Sequence, residues 1–286
     1  MNILLTGSRG FIGSYFINHY QNRYNIKKFS FQTNNLSALN LNNIDIVIHL
    51  SALVHQMGGA EKSEYYNINV VQTIKLANKA KECGVKQFIF MSTVKVYGEE
   101  TDIPYNENSI CSPIDDYGKS KLQAEEELRK LSNKNFKVSI IRTPIVYGYG
   151  VKANIKNLIS LIERVPILPL GDINNRRSMI YIGNLCYLID TIIKKNIDGI
   201  FLASDNEVYS TKELIKEISN VLNKKVYLIK IPFFKEIIKT IKPSFYKRLY
   251  KSLEVENNIT KKTLNLNNPY SIKDGIELMI KGKNDR

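Results

Sequence analysis

Met1-Asn-Ile-Leu-Leu-Thr-Gly7-Ser-Arg9-Gly10-Phe11-Ile12-Gly13 opens the chain and decides its fold. The first six residues read as a short apolar strand. Three glycines follow at once, and Phe11, Ile12, Tyr15, Phe16 and Ile17 then begin a helical pattern. Strand, glycine turn and helix N-terminus make a phosphate cradle. The glycines permit a tight turn and close backbone approach, while the helix offers free N–H groups and the positive end of its dipole. The G-x-x-G-x-x-G spacing differs from the G-x-G-x-x-G dehydrogenase fingerprint. Glycines also collect in turns for steric reasons alone. Their place at residue 7, directly behind a strand of buried type, is what points to a dinucleotide.

Working outward, strand and helix patterns alternate. Ile26–Phe31 reads as a second strand, and Ile44–Leu50 is a continuous apolar run suited to the middle of a parallel sheet. Tyr65–Cys83 has helical spacing (Ile68, Val71, Ile74, Leu76, Ala77, Ala80) and stops at Gly84, a C-terminal cap. Val85–Met91 and Val138–Ile141 read as strands, with a helix over Tyr117–Leu131 between them. The alternation predicts an α/β fold, a doubly wound parallel Rossmann sheet. Only about a dozen residues, Gln32–Asn43, separate the second strand from the Ile44 strand, too few for a crossover helix. They are expected to form an irregular loop near an adenosine pocket. After Gly150 proline-containing loops separate short elements such as Ile200–Ala203 and Lys225–Ile231, the texture of a smaller lobe packed on the C-terminal edge of the sheet.

The 286 residues suit one large domain or a large and a small one, and 43% hydrophobic with 24% charged residues is the composition of an ordinary globule. No apolar run reaches the roughly 20 residues of a spanning helix, and no secretory signal is read at the start. Cys83, Cys111 and Cys186 form no CxxC pair and have no histidines nearby, so neither a metal site nor a disulfide framework is expected. A reducing cytoplasm follows as the expected location. The net charge of +14 favours acidic partners, but the lysines are spread along the chain. No basic stripe interleaved with aromatics marks a nucleic-acid surface.

Two further stretches carry chemistry. In Tyr117-Gly-Lys-Ser-Lys121, tyrosine and lysine four apart share one helix face. A nearby ammonium lowers a phenol's pKa, which would let Tyr117 act as acid or base near neutrality. Phe88–Gly98 contains a buried strand ending in Ser92 and Thr93, hydroxyls placed to meet a sugar oxygen.

Together these residues resemble the extended short-chain dehydrogenase/reductase family, in its NAD-dependent epimerase/dehydratase branch acting on nucleotide sugars. TGSRGFIG (6–13), HLSA (49–52, with Ser51 in place of the usual Ala), YNINV (66–70), MSTVKVYG (91–98), YGKSK (117–121) and RTPIVYG (142–148) carry the likeness. VKAN (151–154) and the stretch from Asn175 to Leu185 resemble its diphosphate-binding segments. The resemblance implies a Rossmann domain over 1–150 and a mixed α/β nucleotide-sugar lobe over 151–286, within which the chain can return to the sheet. It implies Tyr117 as acid/base at the sugar's C4 oxygen, Lys121 at the nicotinamide ribose and Thr93 on the same C4 oxygen. Gly7, Arg9, Gly10, Phe11, Ile12, Gly13, Leu50, Ser51, Ala52 and Asn69 would line the cofactor. Asn154 and Arg177 would hold the diphosphate, with Leu168 and Leu170 flanking the base and His55 near the hexose. His49 and His19 read as structural. A homodimer through the Tyr65–Cys83 and Tyr117–Leu131 helices is also implied.

Dehydratases of the family carry an acidic pair after the catalytic hydroxyl; here Val94 and Lys95 follow Thr93, which argues against a 4,6-dehydratase. A 4-ketoreductase and a 4-epimerase share the same triad. The second strand ends Lys27-Lys28-Phe29-Ser30-Phe31-Gln32 without a carboxylate for the adenosine ribose, and Arg9 can meet a 2′-phosphate. Both features favour NADP(H) over NAD(H), and with it reduction of a UDP-linked 4-keto-6-deoxy-N-acetylhexose. UDP-hexose 4-epimerisation is the alternative, and a non-enzymatic NADP-sensing protein a lesser one. Ile231–Tyr250 is amphipathic and basic, suited either to an anionic membrane surface or to a helical part of the substrate lobe, and the second is preferred.

Overall fold

The computed structural model describes residues 1–54 and 60–282. Six parallel strands form its central sheet in the order β2-β1-β3-β4-β5-β9: β1 Asn2–Thr6, β2 Asn25–Phe29, β3 Ile46–His49, β4 Gln87–Thr93, β5 Lys137–Thr143 and β9 Gly199–Leu202. The strand order, not the strand direction, reverses at β1. β2 lies on one side of it and β3 on the other, so a crevice opens at the carboxyl ends of β1 and β3.

The apolar runs are continuous because both faces of the sheet are covered. Leu4, Val47, Phe88, Phe90 and Ile140 meet Leu76, Ala77 and Ala80 of α3 (Gln72–Glu82) and Ala124 and Leu128 of α4 (Asp116–Leu131). Ile3, Leu5, Ile48, Ile89 and Ile141 point the other way. They meet Phe16 and Ile17 of α1 (Phe11–Tyr20) and Leu185, Leu188 and Ile192 of α6 (Ile182–Lys195). The alternation along each strand thus feeds two separate cores.

α3 is preceded without a break by α2 (Lys62–Tyr66) and a π-helical segment, Asn67–Val71. The helix ends as its glycine requires: Gly84 takes a left-handed conformation (φ +78°) and the Val85 N–H donates to the Ala80 carbonyl at 3.0 Å. Between β2 and β3 the short connection holds only a 3₁₀ turn, Leu36–Ala38, as its length dictates.

Beyond residue 150 one expectation is corrected. Ile200–Ala203, read as a strand of the smaller lobe, pairs instead with β5 as β9 at the edge of the central sheet. Phe201 and Leu202 are fully buried there, which its four-residue length alone did not reveal. Two small parallel pairs complete the strands: β6 (Ile145–Tyr147) with β8 (Met179–Tyr181), and β7 (Ile167–Leu168) with β10 (Tyr227–Leu228). The remaining helices are α5 (Ala153–Arg164), α7 (Thr211–Val221), α8 (Phe234–Ile241), α9 (Pro243–Tyr250), α10 (Asn258–Leu264) and α11 (Ile272–Lys281).

Candidate active site

The glycine turn sits where β1 meets α1. Gly7 has φ +72°, and a Cβ there would lie 2.9 Å from the backbone of Leu50 and Ser51 at the end of β3. A Cβ on Gly13 would lie 2.3 Å from the Gly7 carbonyl oxygen, so the turn folds onto the first turn of α1 only because both side chains are absent. Gly10 is the N-cap of α1; no side chain caps that helix, and its first turn carries no carboxylate. Such an end presents N–H donors and positive potential to an anion, and so fits a dinucleotide pyrophosphate. Arg9 is exposed on the turn, and Phe11 and Ile12 are half-buried behind it.

Across the crevice the end of β3 is pinned by Thr6. Its hydroxyl accepts the N–H groups of Leu50 and Ser51, each at 3.2 Å, and lies 2.8 Å from His49 Nδ1. The hydroxyl proton therefore goes to Nδ1, and Nε2–H donates to Thr73 Oγ1 at 2.9 Å. Burial, with a smaller contribution from Lys121, drives the His49 pKa down to about 3. The ring is a neutral strut, as expected for a histidine ending a core strand. His19 stacks on Tyr15 at 3.8 Å on the exposed side of α1. Ser51 and Ala52 are half-buried beside the turn, and His55 lies outside the described residues.

Thr93 ends β4, and Tyr117 and Lys121 stand on the first turns of α4. That helix is placed by Asp115, whose Oδ1 accepts from the Gly118 N–H at 2.7 Å and whose other oxygen pairs with Lys95. Gly118 permits the docking, since a Cβ there would lie 2.9 Å from the Lys95 carbonyl. Lys95, which fills one of the two positions after Thr93, thus anchors the helix carrying the tyrosine. The Thr93 hydroxyl faces the Tyr117 phenol and lowers its pKa, but burial and the Asp115 carboxylate outweigh it. The phenol is pushed above its ordinary value.

This corrects the expected effect of Lys121. That side chain is fully buried, with its Nζ 3.8 Å from the centre of the Phe90 ring. Burial lowers its pKa to about 7 against the opposing charge of Glu125. An ammonium so weakly held near neutrality is a poor source of positive field for the phenol.

Below Lys121 lies a network that the pattern of residues did not reveal. Glu125, one turn on along α4, accepts from Arg142 Nη2 at 2.6 Å and Nε at 3.1 Å, and from the Ser92 hydroxyl. Burial alone would lower the Arg142 pKa, but the hydrogen bonds and charge of Glu125 hold it above its ordinary value. The Arg142 guanidinium lies 4.7 Å from the centre of the Tyr97 ring. Asn69, on the π segment, is also buried. Its amide exchanges bonds with the backbone of Leu53 (2.8 and 3.0 Å) and donates to Ser120 Oγ at 3.0 Å, while Ser120 donates to the Tyr117 carbonyl at 2.8 Å. It supports both the loop after β3 and the first turns of α4. Single-turn π segments often occur at functional sites, but they leave no periodic signal in a sequence.

In the second half of the chain Asn154 is exposed in the first turn of α5. Leu168, in β7, and Leu170, two residues on, are buried in the core. Arg177 donates to the Lys251 carbonyl at 2.9 Å, and its pKa is lowered by burial and then by Arg248 of α9. Arg248 was not singled out from the sequence, where it is one of many scattered basic residues. The fold sets the two guanidiniums near each other.

A parallel sheet with a glycine turn at its switch point and a Thr–Tyr–Lys set at the same edge defines a dinucleotide-dependent enzyme of the short-chain type. Residues 3–202 match the NAD dependent epimerase/dehydratase family, and the chain belongs to that family. A UDP-glucose 4-epimerase of Vibrio cholerae is 35% identical, covering 96% of this chain and 93% of that protein. An N-acetyl-alpha-D-glucosaminyl-diphospho-ditrans,octacis-undecaprenol 4-epimerase of Escherichia coli O157:H7 is 31% identical over 81% of this chain and 76% of its own length. Among solved structures, a dTDP-4-dehydrorhamnose reductase from Bacillus anthracis in complex with NADP superposes with a TM-score of 0.79 at 21% identity, covering 99% of both chains.

Proposed function

We propose that the chain is a nucleotide-sugar 4-epimerase. The observation that carries this reading is the facing of the Thr93 hydroxyl and the Tyr117 phenol at the sheet edge that also holds the glycine turn. Two relatives above 30% identity over most of the chain, both named 4-epimerases, support epimerisation over reduction alone. When bound, the dinucleotide supplies oxidation and reduction at the sugar's C4.

Tyr117 holds the proton that the C4 oxygen loses and regains. In the arrangement described, its raised pKa makes it a stored acid, and added positive charge beside it would turn it into a base. Thr93 donates to the same oxygen and fixes the sugar's C4 against the phenol. Lys121 supplies ammonium hydrogens to the ribose, and the partners of Glu125 keep its helix in register. Gly7, Gly10 and Gly13 give the backbone its approach to the pyrophosphate, with Phe11, Ile12, Leu50, Ser51, Ala52 and Asn69 around it. Asn154, Arg177 and Arg248 hold the diphosphate of the substrate, since two neighbouring guanidiniums are relieved by an anion between them. Leu168 and Leu170 support the wall beside a uracil base, and His55 is assigned to the hexose side. Two copies associate through α3 and α4.

A 4-ketoreductase is the second reading, favoured by exposed Arg9 and by a β2 that ends without a carboxylate. One experiment tests both. Purified protein is incubated with UDP-hexoses and UDP-N-acetylhexosamines, with catalytic NAD or NADP. Reversible C4 interconversion with no net change in dinucleotide absorbance supports the epimerase. Failure of that reaction, with NADPH consumed in proportion to an added 4-keto sugar nucleotide, replaces it with the reductase.

A further inference from the structure

We propose that Lys95 is a positioning residue for the acid–base step: it fixes Thr93 against the head of α4 and screens Tyr117 from the Asp115 carboxylate. This rests on the reading of Tyr117 as the group that exchanges a proton with the sugar's C4 oxygen. Lys95 lies in a 3₁₀ turn, Val94–Val96, that leaves β4 directly after Thr93. Val94 and Val96 are buried in a small apolar cluster, so the turn is held on both sides of the lysine. Three parts of Lys95 then meet the Thr93–Tyr117 site. Its backbone N–H donates to Thr93 Oγ1 at 3.2 Å. With a lone pair engaged there, the Thr93 proton is left for the phenol or a sugar oxygen. Its carbonyl lies 2.9 Å from where a Cβ on Gly118 would stand, so the backbone of α4 packs directly on it. Its ammonium pairs with Asp115.

Asp115 has two effects that conflict. As the N-cap of α4 it accepts from the Gly118 N–H at 2.7 Å, which holds the first turn of that helix. Standing two residues before Tyr117, its negative charge also opposes ionisation of the phenol, second only to burial. The other groups around the phenol do not offset this. Thr93 from β4 eases ionisation only in part, and Tyr65 from α2, with its ring centre 6.3 Å away, opposes it. Lys121 is partly neutral near pH 7. Lys95 leaves the cap in place and cancels its charge. Beyond this pair, Glu99 lies 3.6 Å from the Lys95 ammonium and itself faces Lys247 of α9 at 4.0 Å. Asp116 faces Lys119 at 3.9 Å on the exposed side of α4. The side chains of Lys95 and Asp115 are 27 and 18% exposed, so salt and water screen the pair less than one on open surface. The lysine that stands where dehydratases carry an acid thus has a place in the proton transfer.

The test is the pH profile of turnover by the full chain, with a UDP-hexose and saturating dinucleotide. Lys95→Met should move the acidic limb of kcat up by about one pH unit, with turnover about tenfold lower along that limb. Lys95→Arg keeps the charge and should return the limb to its wild-type position. Lys95→Met/Asp115→Asn should do the same, because asparagine still caps the helix but carries no charge. A lysine that only stabilised the fold would lower turnover alike at every pH. An unmoved limb in Lys95→Met overturns the proposal, and so does a shift that persists in the double variant. A wild-type protein that turns over no UDP-hexose removes the epimerase reading, and a second measurement then decides on Lys95. Tyr117 is replaced by a fluorinated tyrosine whose phenol ionises within reach, and its titration is followed by fluorine NMR. The midpoint should lie higher with Lys95→Met than with Lys95 present, and equal midpoints overturn the proposal.

Discussion

The edge of the sheet under Tyr117 and the helical pair α8–α9 break the usual rule of burial in opposite directions. Under Tyr117 the protein buries charge: Lys121, Glu125 and Arg142 are 1, 1 and 3% exposed. On α8 it exposes hydrocarbon. Neither arrangement is favourable as folding alone, because a buried ion is costly unless paired and exposed apolar surface forfeits burial. In the first, Glu125 accepts hydrogen bonds from Arg142 and Ser92 while Lys121 rests on the Phe90 ring, and so geometry is fixed. The second covers only part of one apolar face, leaving Ile237 and Ile241 exposed beside the half-buried Phe234 and Ile238. A site that positions atoms therefore shows itself by paired charge in the interior and not by exposed hydrocarbon.

The sharpest way to break the first half of that contrast is Tyr117→Phe. It removes the hydroxyl proposed to carry the proton and keeps the ring, so turnover should fall by about 10²- to 10⁴-fold while dinucleotide titration stays as in wild type. Loss of cofactor binding along with turnover would make Tyr117 a binding group instead. Next comes Glu125→Ala, which strands Arg142 in the interior and should cost about 3–5 kcal/mol in urea unfolding. Glu125→Leu with Arg142→Met should recover most of that stability, yet leave turnover low because Ser92 and the helix of Lys121 lose their anchor. Recovery of both would show the ion pair to be structural only.

Lys121 gives a smaller, pH-dependent test. Its folded pKa, about 7, lies below the ordinary 10.5, so between those values the unfolded chain binds more protons than the folded one. Stability from this group therefore rises with pH across that window, with a slope approaching about 1.4 kcal/mol per unit. Below pH 7 the full cost of burying the ammonium is present. Lys121→Met should accordingly be more stable than wild type at pH 6.5, with the gap shrinking towards pH 10. A gap that does not change with pH would mean that Lys121 stays charged throughout.

The same contrast explains what could be read from the residues alone. Gly7, Gly10 and Gly13 were legible because a tight turn admits no side chain, and Thr93, Tyr117 and Lys121 because strand ends and i,i+4 spacing are local. The two cores were legible as uninterrupted apolar strands. Glu125 and Arg142 were not, since their pairing joins α4 to β5 across 17 positions and each alone looks like a surface charge. Asn69 was named through the YNINV resemblance, but its bonds to Leu53 and Ser120 arise from a π segment with no signature of its own. Arg248 became visible only once the fold set it beside Arg177. The sign of the Tyr117 shift was misjudged for the same reason: spacing placed a lysine one turn away but could not show how far burial had weakened it.

The smallest expected effect bears on the other half of the contrast. Phe233 precedes α8 with φ +60°, a left-handed conformation that costs a residue with a Cβ about 1 kcal/mol or more. Asparagine tolerates that conformation, and a side chain 76% exposed has little packing to lose. Phe233→Asn should therefore raise unfolding stability by about 0.5–1 kcal/mol, read in urea unfolding. A loss of stability would show that the ring is packed after all.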